Sequence, residues 1–114
     1  MTCVLTLLTP PPSVNEIYRN VPGKGRVKTK AYKGWRKDAE WQVSLQKPAH
    51  FTGPVAVSIA LPMSTRGDVD NRAKATMDLL QKAGVVANDK QCDPVTIGRA
   101  DVDLTTITIT PRGA

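Results

Sequence analysis

Asp68 and Asp70 stand two residues apart in the window Gly67-Asp68-Val69-Asp70-Asn71-Arg72-Ala73-Lys74. Where a chain enters a helix in extended form, positions i and i+2 point to the same side. Two carboxylates on one side of a loop make a ligand pair for a hard cation. Lys74 follows Asp70 by one helical turn, and Asp78 continues that face one turn further. A carboxylate pair beside a lysine suits phosphoryl chemistry, in which the acids hold a metal and the lysine offsets charge on a phosphate oxygen. The same residues have a plainer use. An Asp at a helix start is a common N-cap worth about 1 kcal/mol, and an Asp70–Lys74 pair is an ordinary solvated ion pair worth a few tenths of a kcal/mol. The acids lean towards the first use, since eight are Asp and two are Glu. A surface selected for helix propensity uses more Glu, while the shorter, stiffer Asp suits fixed coordination. Asp89, between Asn88 and Lys90, is a third candidate, and its plain reading is a turn residue.

The second signal is a run of cations. Residues 19–37 hold 8 of the 16 Lys and Arg and no acid. Tyr18, Tyr32 and Trp35 are interleaved with them, a pattern that fits contact with a phosphate backbone. The candidate contacts are Arg19, Lys24, Arg26, Lys28, Lys30, Lys33 and Arg36. Pro22, Gly23, Gly25 and Gly34 punctuate the run, so its first half is expected to be a mobile loop. A solvated loop with no partner is the plain alternative. The carboxylate cluster counts against it, because a cation held by carboxylates needs an anionic substrate. Gly23-Lys24-Gly25 lacks the spacing of a phosphate loop.

Composition excludes several classes. The chain has 114 residues and a formal net charge of +6, with 40% apolar residues. That allows one domain with a modest core. No apolar run reaches the ~18–20 residues of a membrane helix, and Val4–Leu8 is too short for a signal peptide. Cys3, Cys92 and the single His50 cannot build a structural zinc site, and the two cysteines read as reduced core thiols of a cytoplasmic protein. No Ser or Cys has a His partner for nucleophilic catalysis.

These residues must be positioned by regular elements. Thr2–Leu8 reads as a strand stopped by Pro10, Pro11 and Pro12. A helix is expected from about Ala31 to Gln46, with Trp35, Ala39, Gln42 and Val43 on one face. Val55–Leu61 alternates as a strand with one buried face. Asp70–Ala83 reads as a helix with a stripe of Ala73, Met77, Leu80 and Ala83, capped by Gly84. Asp93-Pro94 reads as a turn. Strands near Val95–Ala100 and Leu104–Thr110 follow, joined as a hairpin by Asp101–Asp103. The order βαβαββ predicts a single α+β domain, a mixed sheet of about four strands with two helices against it.

Pro11-Pro12-Ser13-Val14-Asn15 followed by Tyr18-Arg19 resembles the N-terminal motif of the RusA family of Holliday-junction resolvases. The run Asp68-Val69-Asp70-Asn71-Arg72-Ala73-Lys74, then Asp78-Leu79-Leu80 and Ala83-Gly84-Val85, resembles that family's signature, and the likeness spans roughly residues 4–110. It implies that Asp68, Asp70 and Asp89 are catalytic acids and metal ligands and that Lys74 is the catalytic lysine. It also implies a homodimer that depends on Mg²⁺, with Mn²⁺ as a substitute, and acts on branched DNA. Asn88 departs from the pattern, standing where the family usually shows the first acid of a pair.

The resulting expectation is an endodeoxyribonuclease that resolves four-way junctions by paired nicks. Residues 1–114 form one nuclease domain, with Asn15 and the cations of residues 19–37 on the DNA. No membrane and no small-molecule cofactor is expected. Two alternatives use the same residues: a non-enzymatic nucleic-acid-binding module in which the aspartates only cap a helix, and a metal-dependent phosphohydrolase of small nucleotides. The cation run argues against the latter, since a mononucleotide needs few cations.

Overall fold

The computed structural model describes residues 1–112. Their order is β1 (Cys3–Leu7), α1 (Val14–Ile17), β2 (Tyr18–Val21), β3 (Gly25–Lys28), α2 (Lys30–Leu45), β4 (Val55–Pro62), α3 (Ala73–Lys82), β5 (Cys92–Ala100) and β6 (Thr105–Pro111). Short 3₁₀ turns at Asp70–Arg72 and Asp89–Gln91 flank the α3 region. The architecture is α+β, with a mixed four-stranded sheet in the order β1-β6-β4-β5 and a separate two-stranded ribbon of β2 and β3.

The alternation in β4 sends Val55, Val57, Ile59 and Leu61 into the core. Leu5 and Leu7 from β1, and Ile107 and Ile109 from β6, line the same face. Ala39 and Val43 of α2 and Leu79 and Leu80 of α3 cover it. At ~1.5–3 kcal/mol for each large apolar side chain buried, this face is the main source of stability. Among the described residues no helix is long and apolar enough to cross a membrane. Cys92 is buried and Cys3 half-buried, both as free thiols.

The last two strands do not form the expected hairpin. β5 pairs with β4 in parallel, whereas β6 pairs antiparallel with β4 on its other flank and with β1. The Asp101–Asp103 connection therefore steps across β4. Asp93-Pro94 is not a turn either: it lies inside β5, with a cis peptide bond, where the register against β4 shifts between Val55 and Val57. β5 is an edge strand, which tolerates a residue without an N–H.

Residues 18–28, expected as a loop, form the β2–β3 hairpin. Its tip is a turn closed by Lys24 N–H on the Val21 carbonyl at 3.0 Å. Pro22 takes the second position and Gly23, with φ of 80°, the third, as a type II turn demands. Thr29 then starts α2, its hydroxyl accepting from Tyr32 N–H at 3.1 Å and donating to the Glu16 carbonyl at 2.6 Å.

The helix after β4 also differs from the expected one. Its first turn is 3₁₀, and the α-helix proper begins at Ala73. Of the predicted stripe only Leu80 is fully buried, and Ala75, Thr76 and Leu79 are buried with it. Ala75 packs with Ile17 and Tyr32 in a second cluster, so α3 is covered on two sides. Ala73, Met77 and Ala83 are only half-buried against the main core. Gly84 caps the helix as predicted. With φ of 77° it lets its own N–H reach the Gln81 carbonyl at 3.2 Å and Val85 N–H reach Leu80 at 2.9 Å.

Candidate active site

Asp68 and Asp70 follow β4, at the end of the sheet where the parallel strands β4 and β5 finish. Open α/β sheets present ligands beyond the carboxyl ends of such strands, where connections diverge. The connecting loop is held by two arginines. Arg99 donates from Nε to the Thr65 carbonyl at 2.9 Å and from Nη2 to the Gly67 carbonyl at 2.7 Å. Arg72 donates to the Pro11 carbonyl at 2.8 Å and the Arg66 carbonyl at 2.9 Å. Gly67, with φ of 79°, supplies the left-handed bend before Asp68. Neither arginine stands out in the sequence. Arg72 lies inside the Gly67–Lys74 window, but a side chain bonding to main-chain carbonyls reads in sequence like any surface cation.

The Arg72 bond to Pro11 draws the two sequence motifs together. A cleft of about 320 Å³ results, lined by Ser13, Asn15, Glu16, Arg66, Asp68 and Asn71 among others. Glu16 accepts from the Ser13 hydroxyl at 3.0 Å, which fixes the turn that presents Asn15. A smaller cleft continues from Asn15 past Tyr18 to Arg19 and Arg26. The Arg26 guanidinium lies 4.2 Å from the centre of the Tyr18 ring, held by cation–π attraction. Asn15, Arg19 and Arg26 thus lead away from Asp68 in series. Lys24 sits at the hairpin tip, and Lys30 and Lys33 are exposed on the first turns of α2. Lys28 and Arg36 face a different cleft, against α3.

Asp68 and Asp70 are both exposed. Among the described residues neither carboxylate has an ion-pair partner or accepts a hydrogen bond, and no side chain caps either the 3₁₀ turn or α3. The Asp70–Lys74 pair is absent. Lys74 instead faces Asp78, with Nζ 3.9 Å from Oδ1. The 3₁₀ turn is the cause, because it removes the α-helical spacing between Asp70 and Lys74 that an i, i+4 pair requires. Asp78 is held from its other side by Tyr32, whose hydroxyl donates to Oδ2 at 3.2 Å. Burial first, then the charge of Asp78, pushes the Tyr32 phenol up to about 12.

Asp89 is at the opposite end of the sheet. It opens the 3₁₀ turn before β5, and β5 starts at Cys92 opposite Val55, the first residue of β4. By rise per residue the 3₁₀ turn and α3 together span about 20 Å between Asp70 and this end. Among the described residues no three His, Cys, Asp or Glu side chains gather as a metal-binding group, so one chain does not unite Asp89 with Asp68 and Asp70. Burial raises the Cys92 thiol pKa, and the nearby charge of Asp89 adds to it. Asn88 caps this turn, its side chain accepting from Lys90 N–H at 2.9 Å.

The family model described as Endodeoxyribonuclease RusA matches residues 8–110, from just before the proline run to the penultimate residue of β6. The chain belongs to the RusA family. Comparison with curated proteins finds no match. RusA membership implies endonuclease activity on Holliday junctions. In this RusA chain the two motifs that carry the sequence resemblance are the two walls of the Asn15–Asp68 cleft.

Proposed function

We propose that this RusA-family chain nicks DNA at four-way junctions with a Mg²⁺ ion held by Asp68 and Asp70. The observation that carries the reading is two exposed, unpartnered carboxylates, Asp68 on the arginine-clamped loop and Asp70 at the start of the 3₁₀ turn after it, in a chain of net charge +6. With 16 cations available, acids left without a partner are free to act as ligands. Mg²⁺ is commonly bound through one or two carboxylates plus substrate phosphates, so this donor set fits it. Once bound, the ion supplies activation of water and stabilisation of charge on the scissile phosphate. Asn15 and the hairpin cations Arg19 and Arg26 orient the strand beside Asp68. Lys74 places its ammonium where charge develops on a phosphate oxygen. Capping alone does not account for Asp68 and Asp70, since neither makes a capping bond.

The proposal includes a homodimer. The sheet face away from the helices carries Val4, Thr6, Ala56, Ser58, Thr106 and Thr108, with no charged side chain among them. On so cationic a chain, that is a face where two copies meet without like charges opposed. A two-fold axis that runs the sheets antiparallel brings the Asp89 end of one chain to the Asp68 end of its mate. Two sites on a two-fold enzyme match a two-fold junction, which gives paired nicks.

A nuclease assay with and without Mg²⁺ on junction, duplex and single-stranded DNA tests the reading. Mg²⁺-dependent nicking of the junction above the other substrates is expected. Binding to all three with no cleavage would instead support the non-enzymatic module.

A further inference from the structure

A second cleft, of about 370 Å³, lies where β3, α2 and the C-terminal half of α3 meet. Lys28, Arg36, Asp78, Gln81, Lys82 and Ala87 line it. It shares no residue with the Asn15–Asp68 cleft. Three of the six are cations, and the one acid is committed elsewhere, to Tyr32 and Lys74. Among the described residues Lys28, Arg36 and Lys82 have no acidic partner within ion-pair distance. Lys28 and Arg36 are gathered over one ring, 5.7 and 5.9 Å from the centre of Tyr32. Arg36 Nε is buried without a hydrogen-bond acceptor, an unmet donor that costs ~1–3 kcal/mol. Three cations gathered on one cleft without an acidic partner are relieved by an anion with several acceptor oxygens.

We propose that this cleft seats a non-scissile backbone phosphate of duplex DNA, an inference that rests on the nuclease reading. A phosphodiester carries one negative charge and two free oxygens, which match a guanidinium edge flanked by ammonium groups. Base recognition does not fit, because no aromatic is among the lining residues and the nearby Tyr32 ring is fully buried, so no face is open for stacking. Asp78 and Lys82 lie about 13–20 Å along the helix from Asp70, by rise per residue. With one phosphate per 3.4 Å of each strand, the seat is roughly four to six nucleotides from the cut. Lys82, outside the basic run, thereby becomes a DNA contact on the helix that also carries Lys74. Contact at two separated points fixes how an arm leaves the cutting site.

Junction binding by Lys82→Gln and Lys28→Gln is measured against salt in the metal-free protein, where no cleavage interferes. Each variant is expected to bind about fivefold more weakly, with the salt slope reduced by about 0.9. Methylphosphonate linkages placed singly along an arm give the location. One at four to six nucleotides from the cut should weaken the native protein about fivefold and leave Lys82→Gln almost unaffected. Unchanged slopes, or equal sensitivity of both proteins at every position, would overturn the seat. A protein that nicks junctions while Lys82→Gln binds normally overturns the seat alone. A protein that shows the slope change and the positional coupling but never nicks overturns the nuclease reading and leaves the seat in place.

Discussion

Tyr32 on α2 donates its hydroxyl to Asp78 on α3 at 3.2 Å, and the other oxygen of that carboxylate faces Lys74 at 3.9 Å. A buried phenol thus anchors the acid that steadies the proposed catalytic lysine. Because the bond joins α2 to α3, it also ties the cation-bearing half of the chain to the half that carries the carboxylates.

That bond gives stability a predictable pH dependence. Burial, and then the Asp78 charge, raise the Tyr32 pKa from 10.0 to about 12 in the folded chain. The folded state therefore holds this proton more tightly than the unfolded state does. Its contribution is fully present below pH 10 and is lost as pH rises towards 12. Tyr32→Phe should cost about 1–2 kcal/mol at neutral pH, from loss of a bond to a charged acceptor. The difference between native protein and variant should shrink steadily above pH 10. Urea unfolding of both proteins from pH 8 to 12 checks this, and a difference that stays constant would contradict it.

Asp70→Asn separates cutting from binding. Asp70 is exposed and makes no capping bond, so the melting temperature should hardly move. Cleavage should disappear. Junction binding should persist or tighten, because a negative charge facing phosphate has gone. If the variant cuts within tenfold of the native rate, Asp70 is not a metal ligand.

Neutralising Lys24, Arg26 and Lys30 together should weaken DNA binding across all sequences. The salt slope should fall by about 0.7–0.9 for each phosphate contact removed. Stability should also drop slightly, by ~0.5–1 kcal/mol, because Arg26 lies over the Tyr18 ring. An unchanged salt slope would make the hairpin a solvated face.

How much of this was legible in the sequence depended on whether the cause was local. The strand at Val55–Leu61 and the cap at Gly84 follow from side-chain alternation and a left-handed backbone, and both were found near their observed positions. The β2–β3 hairpin was missed, although Val21-Pro22-Gly23-Lys24 spells a type II turn, because its strands are too charged to show alternation. The place of β6 beside β4 was not legible, since alternation marks a strand without naming its neighbour. Lys74 has an Asp four residues away on either side, and only the 3₁₀ turn decides that Asp78 is its partner. The motif residues Asn15 and Asp68 were legible singly. Their shared cleft depends on Arg72 reaching Pro11 across the fold, which no local spacing encodes.

Asp89 stands apart from the other two candidate acids. In one chain it lies at the start of β5, while Asp68 and Asp70 lie beyond the end of β4, and no acidic trio forms among the described residues. The loop from Gly84 cannot swing it back, because Val85 and Val86 are buried and Phe51 bridges to Val86. In the proposed homodimer, a catalytic role for Asp89 would require it to act from the partner chain, in a site shared between the two copies. Complementation tests this. Asp70→Asn and Asp89→Asn proteins, each expected to be inactive alone, are mixed under conditions that exchange subunits. In a mixed dimer with shared sites, one site takes Asp70 from the Asp89→Asn chain and Asp89 from the Asp70→Asn chain, and is intact. The other site lacks both acids. Single nicks on the junction should therefore return, at up to half the native number of working sites per mixed dimer. If each site lay within one chain, both would stay broken and no nicking would return. An inactive mixture with subunit exchange confirmed by mass would sink the shared site. It would leave the proposal for Asp68, Asp70 and the clefts beside them untouched.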